Sequence, residues 1–255
     1  MKGKFMQIFS FAGNGVTMYV TERGKQYMEI LKAENLIKIY GKGDNQVKAL
    51  DGVSLSVEKG EFVAVVGTSG SGKSTLLHML GGLDRPDSGK VQVEGKDIFT
   101  LKEEALTIFR RRKIGFVFQA YNLVPVLSVY ENVVLPVELD GKKADRKFIE
   151  DILDTLGIRE KAGNLPGQLS GGQQQRAAIA RALASKPAIL LCDEPTGNLD
   201  SRTSQDVLGL LKISGQKFAQ TIVMITHNEE IAQMADRIIR IEDGHILSAK
   251  GRGLM

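Results

Sequence analysis

The sequence predicts an α/β domain with a mostly parallel core sheet, an antiparallel β subdomain and an inserted α-helical subdomain. Three observations support this prediction. An apolar run at residues 62 to 66 leads through a glycine-rich turn into helix-forming residues. Strand and helix patterns alternate from residue 188 to residue 241, which is typical of a parallel sheet with helices on both faces. Between these regions, residues 121 to 168 carry helix patterns only.

Composition sets the broad class of the protein. The chain has 255 residues and is 42% hydrophobic, which is enough for a large domain with a buried core. No stretch reaches the ~20 consecutive apolar residues that a membrane-spanning helix needs. The only cysteine, Cys192, excludes an internal disulfide and suits a reducing compartment. Most of the net charge of +4 lies in residues 1 to 27, so charge gives no reason to expect nucleic-acid binding.

Residues 1 to 27 are an N-terminal extension whose role the pattern leaves open. Lys2 and Lys4 precede an apolar stretch, as in a signal peptide, but glycines interrupt the stretch and no cleavage pattern follows. Three interpretations stand. The extension is disordered, it is an interfacial membrane anchor, or it lies upstream of a true start at Met28.

The first elements of the main domain are strands. The patterns at residues 30 to 40 and 47 to 57 indicate two strands joined by a turn, in an antiparallel arrangement. The apolar run and the glycine-rich turn follow them. The next predicted elements are strands at 90 to 94 and 114 to 118 and a helix at 101 to 112.

The helical insertion has recognisable ends. Ser128 and Glu131 form a capping-box pattern, and a second helix at 144 to 156 stops at Gly157. We predict a main domain over residues 28 to 248, with the helical subdomain at about 121 to 168 and a C-terminal tail at 249 to 255. The remaining predicted elements are strands at 188 to 192, 221 to 226 and 238 to 241, and helices at 203 to 211 and 229 to 235.

The glycine-rich turn fits a phosphate-binding loop. It follows a buried strand and opens a helix, the context in which the pattern G-x-x-x-x-G-K-S binds a nucleotide. Its glycines let backbone N–H groups point at phosphate oxygens, while Lys73 reaches the β- and γ-phosphates and the Ser74 hydroxyl binds Mg²⁺. The residues predicted to bind the nucleotide here are Gly67, Thr68, Ser69, Gly70, Ser71, Gly72, Lys73, Ser74 and Thr75.

Two adjacent carboxylates follow the buried strand that ends at Cys192. The carboxyl ends of parallel strands are where α/β sheets bind ligands. Asp193 is therefore predicted to hold Mg²⁺ opposite Ser74, and Glu194 to polarise the water that attacks the γ-phosphate. An ordinary turn at a strand end could also carry two carboxylates, so this pair alone does not decide the function.

A second helix start lies upstream of the carboxylates. Ser170, Gly171 and Gly172 begin a helix, and their backbone N–H groups, with the Ser170 hydroxyl as an extra donor, form a second anion-recognising site. One ATP needs only one primary loop. We therefore expect this start to complete the site of a partner molecule.

This helix start resembles the LSGGQ signature of the ATP-binding-cassette (ABC) ATPases, at residues 169 to 173. Its spacing from the phosphate loop and from Asp193 is also typical of that family. The resemblance covers about residues 28 to 248. It implies the P-loop NTPase fold of the ABC ATPases.

The resemblance implies roles for further residues. Tyr40 resembles the aromatic residue that stacks on adenine, and Gln119 resembles the glutamine that joins the metal and the attacking water to the helical subdomain. His227 resembles the switch histidine that contacts the γ-phosphate. Gln173, in the signature, and Asp200, in the D-loop, join the predicted nucleotide-binding residues.

The resemblance also implies a mechanism. The protein is expected to be an ATPase that uses ATP and Mg²⁺, with two copies meeting head to tail around two ATP molecules. Its other partner is expected to be an integral-membrane permease, which holds it at the cytoplasmic face of the cell membrane, and no nucleic acid is expected. The residues implied in catalysis are Glu194, His227, Gln119 and Lys73, and those in metal binding are Ser74, Gln119 and Asp193.

Within the family, the stretches at 118 to 125, 131 to 136 and 195 to 200 resemble ATPases of the macrolide-export and lipoprotein-release group. The stretch at 226 to 237 resembles the branch that exports or resists peptide antibiotics such as bacitracin. An alternative is a regulatory ATPase of the same subfamily that acts with a permease-like partner in antibiotic sensing or cell division. Soluble ABC ATPases of DNA repair or translation are disfavoured, because the chain has one cassette, no long coiled-coil insertion and no basic domain.

Overall fold

The structure, a computed structural model, describes residues 7–10, 17–20 and 26–251, and the statements below concern those residues. The other residues of the N-terminal extension, and residues 252–255, lie outside them. The three interpretations of the extension and the proposed domain boundaries therefore stay predictions.

An antiparallel sheet is organised around one long strand, β3. Leu31 of β3 pairs with Val57 of β4 on one side and with Val93 of β6 on the other. A short hairpin, β1 and β2, adds to the beginning of β3, where Met18 pairs with Met28. The sequence patterns did not predict this hairpin. The strands are β1 Gln7–Ser10, β2 Thr17–Val20, β3 Gln26–Tyr40, β4 Val47–Glu58, β6 Ser88–Val93 and β7 Lys96–Asp97.

The second sheet is mixed and mostly parallel, as predicted. Its strand order is β12-β11-β5-β10-β9-β8, and only the edge strand β12 pairs antiparallel, with β11. The strand β5 is buried at every residue, which explains its continuous apolar sequence. The strands are β5 Phe62–Val66, β8 Ile114–Phe118, β9 Ile189–Asp193, β10 Thr221–Thr226, β11 Arg237–Glu242 and β12 His245–Gly251.

The helices cover both faces of the mixed sheet. Since successive strand side chains point to opposite faces, β5 contributes to two hydrophobic cores. Ala64 faces the core built with α3, α4, α5 and α6, and Val65 faces the core built with α1, α2 and the antiparallel sheet. The helices are α1 Lys73–Leu80, α2 Glu103–Lys113, α3 Val129–Glu138, α4 Arg146–Thr155, α5 Gly171–Ala184, α6 Ser201–Lys217 and α7 Glu229–Ala232.

Two helices end three or more residues away from their predicted ends. The helix α6 runs beyond residue 211 to Lys217, through a polar stretch that contains Gly215. A Cβ at Gly215 would lie 2.7 Å from Ile222 Cδ1, so the glycine lets the end of α6 pack closely on β10. The helix α7 ends at Ala232 rather than at 235, because the next residues tighten into turns before β11: Met234 N donates to Ile231 O at 3.1 Å.

The predicted N-terminal cap of α3 and the predicted C-terminal stop of α4 are confirmed. Ser128 accepts a hydrogen bond from Glu131 N at 3.2 Å, and the Glu131 side chain accepts one from Ser128 N at 2.7 Å. Gly157 follows α4 with a φ of 63°, the left-handed conformation typical of a helix C-terminus. In residues 7–10, 17–20 and 26–251, no helix is long and apolar enough to cross a membrane.

Candidate active site

The phosphate-binding loop leaves the end of β5 and is pressed against neighbouring backbone. Gly70 and Gly72 have φ of 80° and 99°, a left-handed region that favours glycine. A Cβ at Gly67 would overlap the carbonyl oxygen of Ile241 in β11, and one at Gly72 would overlap that of Ala49 in β4. The glycines of the pattern therefore let the loop fit between two strands.

Two side chains of the loop, Ser71 and Lys73, are buried. Lys73 is 6% exposed, and its Nζ donates to Gly67 O at 2.9 Å and to Thr68 O at 2.6 Å. Burial lowers the pKa of the Lys73 ammonium, and the nearby carboxylates of Glu194 and Asp193 act in the opposite direction. The buried Ser71 Oγ has no hydrogen-bond partner. A cation and an unpaired hydroxyl in a cradle of glycines fit a phosphate-bearing ligand.

Asp193 ends β9 beside the start of α1, and Ser74 Oγ donates to Asp193 Oδ1 at 3.2 Å. Burial raises the pKa of the Asp193 carboxyl, and the hydrogen bond from Ser74 opposes that effect. A hydroxyl and a carboxylate are hard oxygen donors, the type that Mg²⁺ prefers. The residues present therefore fit a magnesium ion.

The next residue, Glu194, meets His227 from the neighbouring strand. Since β9 and β10 are parallel neighbours, both residues follow strand ends at the same edge of the sheet. His227 Nδ1 lies 3.2 Å from Glu194 Oε2, and the two side chains are 66% and 27% exposed. Glu194 has a φ of 43°, a left-handed conformation that is uncommon outside glycine. A cavity of about 450 Å³ opens beside this pair.

Gln119 follows β8, the next strand of the same sheet. Its Nε2 donates to Asn198 Oδ1 at 2.9 Å, while Asn198 Nδ2 donates to Gln119 O at 3.0 Å. Asp200, two residues beyond Asn198, caps the N-terminus of α6 by accepting hydrogen bonds from Thr203 N at 3.0 Å and Thr203 Oγ1 at 2.6 Å. Within one chain, Asp200 thus has a structural role.

The signature residues begin α5 with a capping box. Ser170 Oγ accepts from Gln173 N at 3.4 Å, and Gln173 Oε1 accepts from Ser170 N at 3.0 Å. Both glycines are closely packed, since a Cβ at Gly171 would lie 2.8 Å from Tyr121 Oη and one at Gly172 would lie 2.5 Å from Thr203 Cγ2. In the part of the chain that the structure describes, no hydrogen bond or ion pair joins residues 170–173 to the phosphate-binding loop.

Tyr40 ends β3 and is 41% exposed. Its hydroxyl donates to Asp84 Oδ2 at 2.9 Å, and Lys38 Nζ lies 5.1 Å from the ring centroid. Burial and the bond to Asp84 both raise the pKa of Tyr40. The ring is thus held by Asp84 at its hydroxyl and has Lys38 over one face, while the residue stays partly exposed.

Sequence reasoning missed three residues that organise this site. Asp84 holds Tyr40, and Asn198 holds Gln119. Arg181 of α5 donates to the carbonyl oxygens of Tyr121 (2.8 Å) and Asn122, two consecutive residues with positive φ. A single Asp, Asn or Arg carries no pattern of its own, so only the spatial arrangement reveals these contacts.

The comparisons with known proteins agree with this geometry. Residues 50–197 match the ABC transporter family. The lipoprotein-releasing system ATP-binding protein LolD of Geobacter metallireducens is 45% identical, over 86% of this chain and 98% of LolD. The bacitracin export ATP-binding protein BceA of Halalkalibacterium halodurans is 44% identical, over 89% of this chain and 90% of BceA.

Two further similarities differ in extent. The macrolide export ATP-binding/permease protein MacB of Hyphomonas neptunium is 46% identical over 87% of this chain, but the match spans only 35% of MacB. The dimeric post-hydrolysis structure of the ATP-binding cassette MJ0796, bound to ADP and Pi, is 41% identical with a TM-score of 0.79, over 88% of this chain and all of MJ0796. The chain belongs to the ABC transporter family and is one of its ATP-hydrolysing subunits, which act with a membrane permease.

Proposed function

We propose that two copies of this chain bind two ATP molecules between them, head to tail, and that hydrolysis of this ATP drives a membrane permease. The observation that carries the proposal is the pairing of Ser74 with Asp193 and of Glu194 with His227 at one edge of the sheet, beside Lys73. This arrangement joins phosphate binding to activation of water.

In this proposal the phosphate-binding loop, residues 67 to 75, holds the phosphates, and Tyr40 stacks on the adenine. Such stacking contributes about 1 to 3 kcal/mol when it resembles other base stacking. The other copy contributes its signature, Ser170 to Gln173, and its Asp200. Within the described residues, no hydrogen bond joins the signature to the loop of the same chain, which supports a site shared between two copies. The dimer of the similar cassette MJ0796 supports it as well.

Ser74, Asp193 and Gln119 would hold Mg²⁺. The bound ion would neutralise negative charge on the phosphates during transfer. The hydroxyl of Ser74 and the carboxylate of Asp193 already point at one another, which supports a shared ion between them.

Glu194 would accept a hydrogen bond from the attacking water and orient it in line with the γ-phosphorus. His227, whose Nδ1 lies 3.2 Å from Glu194 Oε2, would hold that carboxylate and contact the γ-phosphate. Lys73 and the N–H groups of the signature would stabilise the charge that develops on the phosphoryl oxygens.

The permease would receive this subunit at the cytoplasmic face of the cell membrane, through the segment that follows Gln119. The cargo would be a peptide antibiotic, a macrolide or a lipid-linked molecule, a proposal supported by the similarity to BceA, MacB and LolD. Substitution of Tyr121 or Leu123 is then expected to reduce transport while nucleotide binding stays intact.

The test of the mechanism is the Glu194→Gln variant. The amide keeps the shape of the carboxylate but cannot act as the base, so ATP affinity should be kept while turnover falls by about 10²- to 10⁴-fold. In the presence of ATP, a closed dimer of this variant should then accumulate, and size-exclusion chromatography detects it. If this variant hydrolyses ATP at the normal rate, Glu194 is not the residue that activates the attacking water.

Lys73→Ala is the matched control. Loss of the cation from the loop should weaken nucleotide binding itself, and no ATP-dependent dimer should form. Transport of cargo by vesicles that contain the permease co-purified with this chain would then distinguish a transporter from a regulatory ATPase. ATP hydrolysis without movement of any cargo would favour the regulatory alternative.

A further inference from the structure

Gln119 and Asn198 are joined by two hydrogen bonds, although 79 residues separate them in the chain. Asn198 Nδ2 donates to the backbone oxygen of Gln119 at 3.0 Å, and Gln119 Nε2 donates to Asn198 Oδ1 at 2.9 Å. The turn that carries Asn198 is tied to the catalytic region, since Gly197 N donates to Glu194 O at 3.0 Å.

The chemistry of this pair fixes which way round the Gln119 amide lies. A backbone carbonyl can only accept, so Asn198 must direct its NH₂ group toward Gln119 O. The Asn198 oxygen therefore faces the Gln119 side chain, and only the NH₂ group of that side chain can donate a hydrogen bond to it. As a result, Gln119 Nε2 is used by Asn198, and Gln119 Oε1 is left as the acceptor.

The neighbouring glycine makes the contact possible. A Cβ at Gly197 would lie 2.6 Å from Gln119 Nε2 and 2.8 Å from Gln119 Cδ. The Gln119 side chain thus lies flat on the backbone of the turn, with Asn198 at its nitrogen end. Packing and hydrogen bonding together restrict the amide to one orientation.

We infer that Asn198 is a positioning residue that orients the Gln119 amide so that Oε1 faces a divalent cation. The inference rests on the proposed function, because it takes Gln119 as a ligand of that cation. Without Asn198, the amide can rotate and must be ordered when the cation binds. Loss of one such hydrogen bond should weaken cation binding about three- to tenfold.

The experiment measures Mn²⁺ affinity, by electron paramagnetic resonance of the free ion, in the full chain with a non-hydrolysable ATP analogue. Asn198→Ala and Gln119→Ala should each weaken Mn²⁺ binding. The double variant should bind Mn²⁺ no more weakly than Gln119→Ala alone, because Asn198 acts through Gln119. Affinity for the analogue in the presence of EDTA, and the melting temperature, should stay unchanged in Asn198→Ala.

Asn164→Ala is the matched control, because the Asn164 side chain makes no hydrogen bond within the described residues, and it should leave Mn²⁺ affinity unchanged. If Gln119→Ala weakens Mn²⁺ binding but Asn198→Ala does not, the positioning role is overturned. Additive losses in the double variant overturn it as well. If Gln119→Ala leaves Mn²⁺ affinity unchanged, the metal-ligand role of Gln119 fails, and this inference fails with it.

Discussion

The glycines of the phosphate-binding loop are required for different reasons. Gly70 and Gly72 both have positive φ, yet a Cβ at Gly70 would meet nothing within 4 Å, whereas one at Gly72 would overlap the Ala49 carbonyl oxygen. Glycine is thus favoured at position 70 only by the backbone conformation. At position 72 it is favoured both by the conformation and by the lack of space for a Cβ.

This difference can be measured by substitution. Gly70→Ala should lower the free energy of unfolding by about 1 to 2 kcal/mol, the cost of a left-handed L-residue. Gly72→Ala should cost more than Gly70→Ala, because the loop must also move away from β4, and it should weaken nucleotide binding more. Chemical denaturation and nucleotide titration of the two variants test this, and equal losses would contradict it.

At the residue scale, spaced patterns predicted local geometry. The capping box at Ser128 is confirmed, and the glycine-rich loop lies between a buried strand and a helix as predicted. The roles of that loop and of Asp193 and Glu194 in nucleotide and metal binding stay predictions. Asn198 lies two residues before Asp200, but the sequence assigns it no function, because its partner Gln119 is brought near only by the pairing of β8 with β9. A contact that depends on which strands are neighbours in the sheet leaves no local pattern in the sequence.

Among the elements, the part of the β8–α3 segment at residues 124 to 128 is held by one buried amide. Asn132 of α3 is fully buried, and its Oδ1 accepts from Val124 N at 2.7 Å. Its Nδ2, which carries two hydrogens, lies within hydrogen-bond distance of Val124 O (3.0 Å), Leu127 O (2.9 Å) and Ser128 O (3.0 Å). One side chain therefore replaces the regular hydrogen bonds that this irregular segment lacks.

Asn132→Ala should accordingly destabilise the fold by roughly 1 to 3 kcal/mol, since it leaves buried backbone groups unpaired. Amide hydrogen exchange of residues 122 to 128 should become faster. Asn45→Ala, at an exposed position, is the matched control and should change neither quantity. Unchanged exchange in Asn132→Ala would show that the segment holds its shape without this amide.

At the same scale, the sequence predicted which elements exist better than where they end. The extension of α6 to Lys217 was missed because a polar stretch with a glycine normally ends a helix. Here Gly215 permits contact with Ile222, a tertiary reason that helix propensity does not contain. The strand β12 was missed for a related reason, since its position depends on pairing with β11.

For the molecule as a whole, the hairpin of β1 and β2 is an addition at one end of β3. Its pairing with β3 is confined to Gln26, Tyr27 and Met28, whereas β3 pairs with β4 from Glu29 to Tyr40. The antiparallel sheet therefore does not depend on the hairpin for its register.

We expect a chain that begins at Met28 to keep its ATPase rate and its melting temperature. Both chains should be compared with anionic vesicles in a sedimentation assay, because the anchor interpretation requires residues 1 to 27 for binding. Equal sedimentation would exclude that interpretation. A large fall in melting temperature of the shorter chain would mean that the hairpin supports the sheet.

The central position of β5 also affects how the protein is made. Both neighbours of β5 in the sheet, β10 and β11, come from the last part of the chain, and the loop after β5 rests on Ile241. At synthesis rates of about 5 to 20 residues per second, the ribosome needs roughly 10 to 35 s to go from the loop to that residue. The phosphate-binding loop thus reaches its final form only near the end of translation, and until then β5 is an apolar segment that a chaperone can bind.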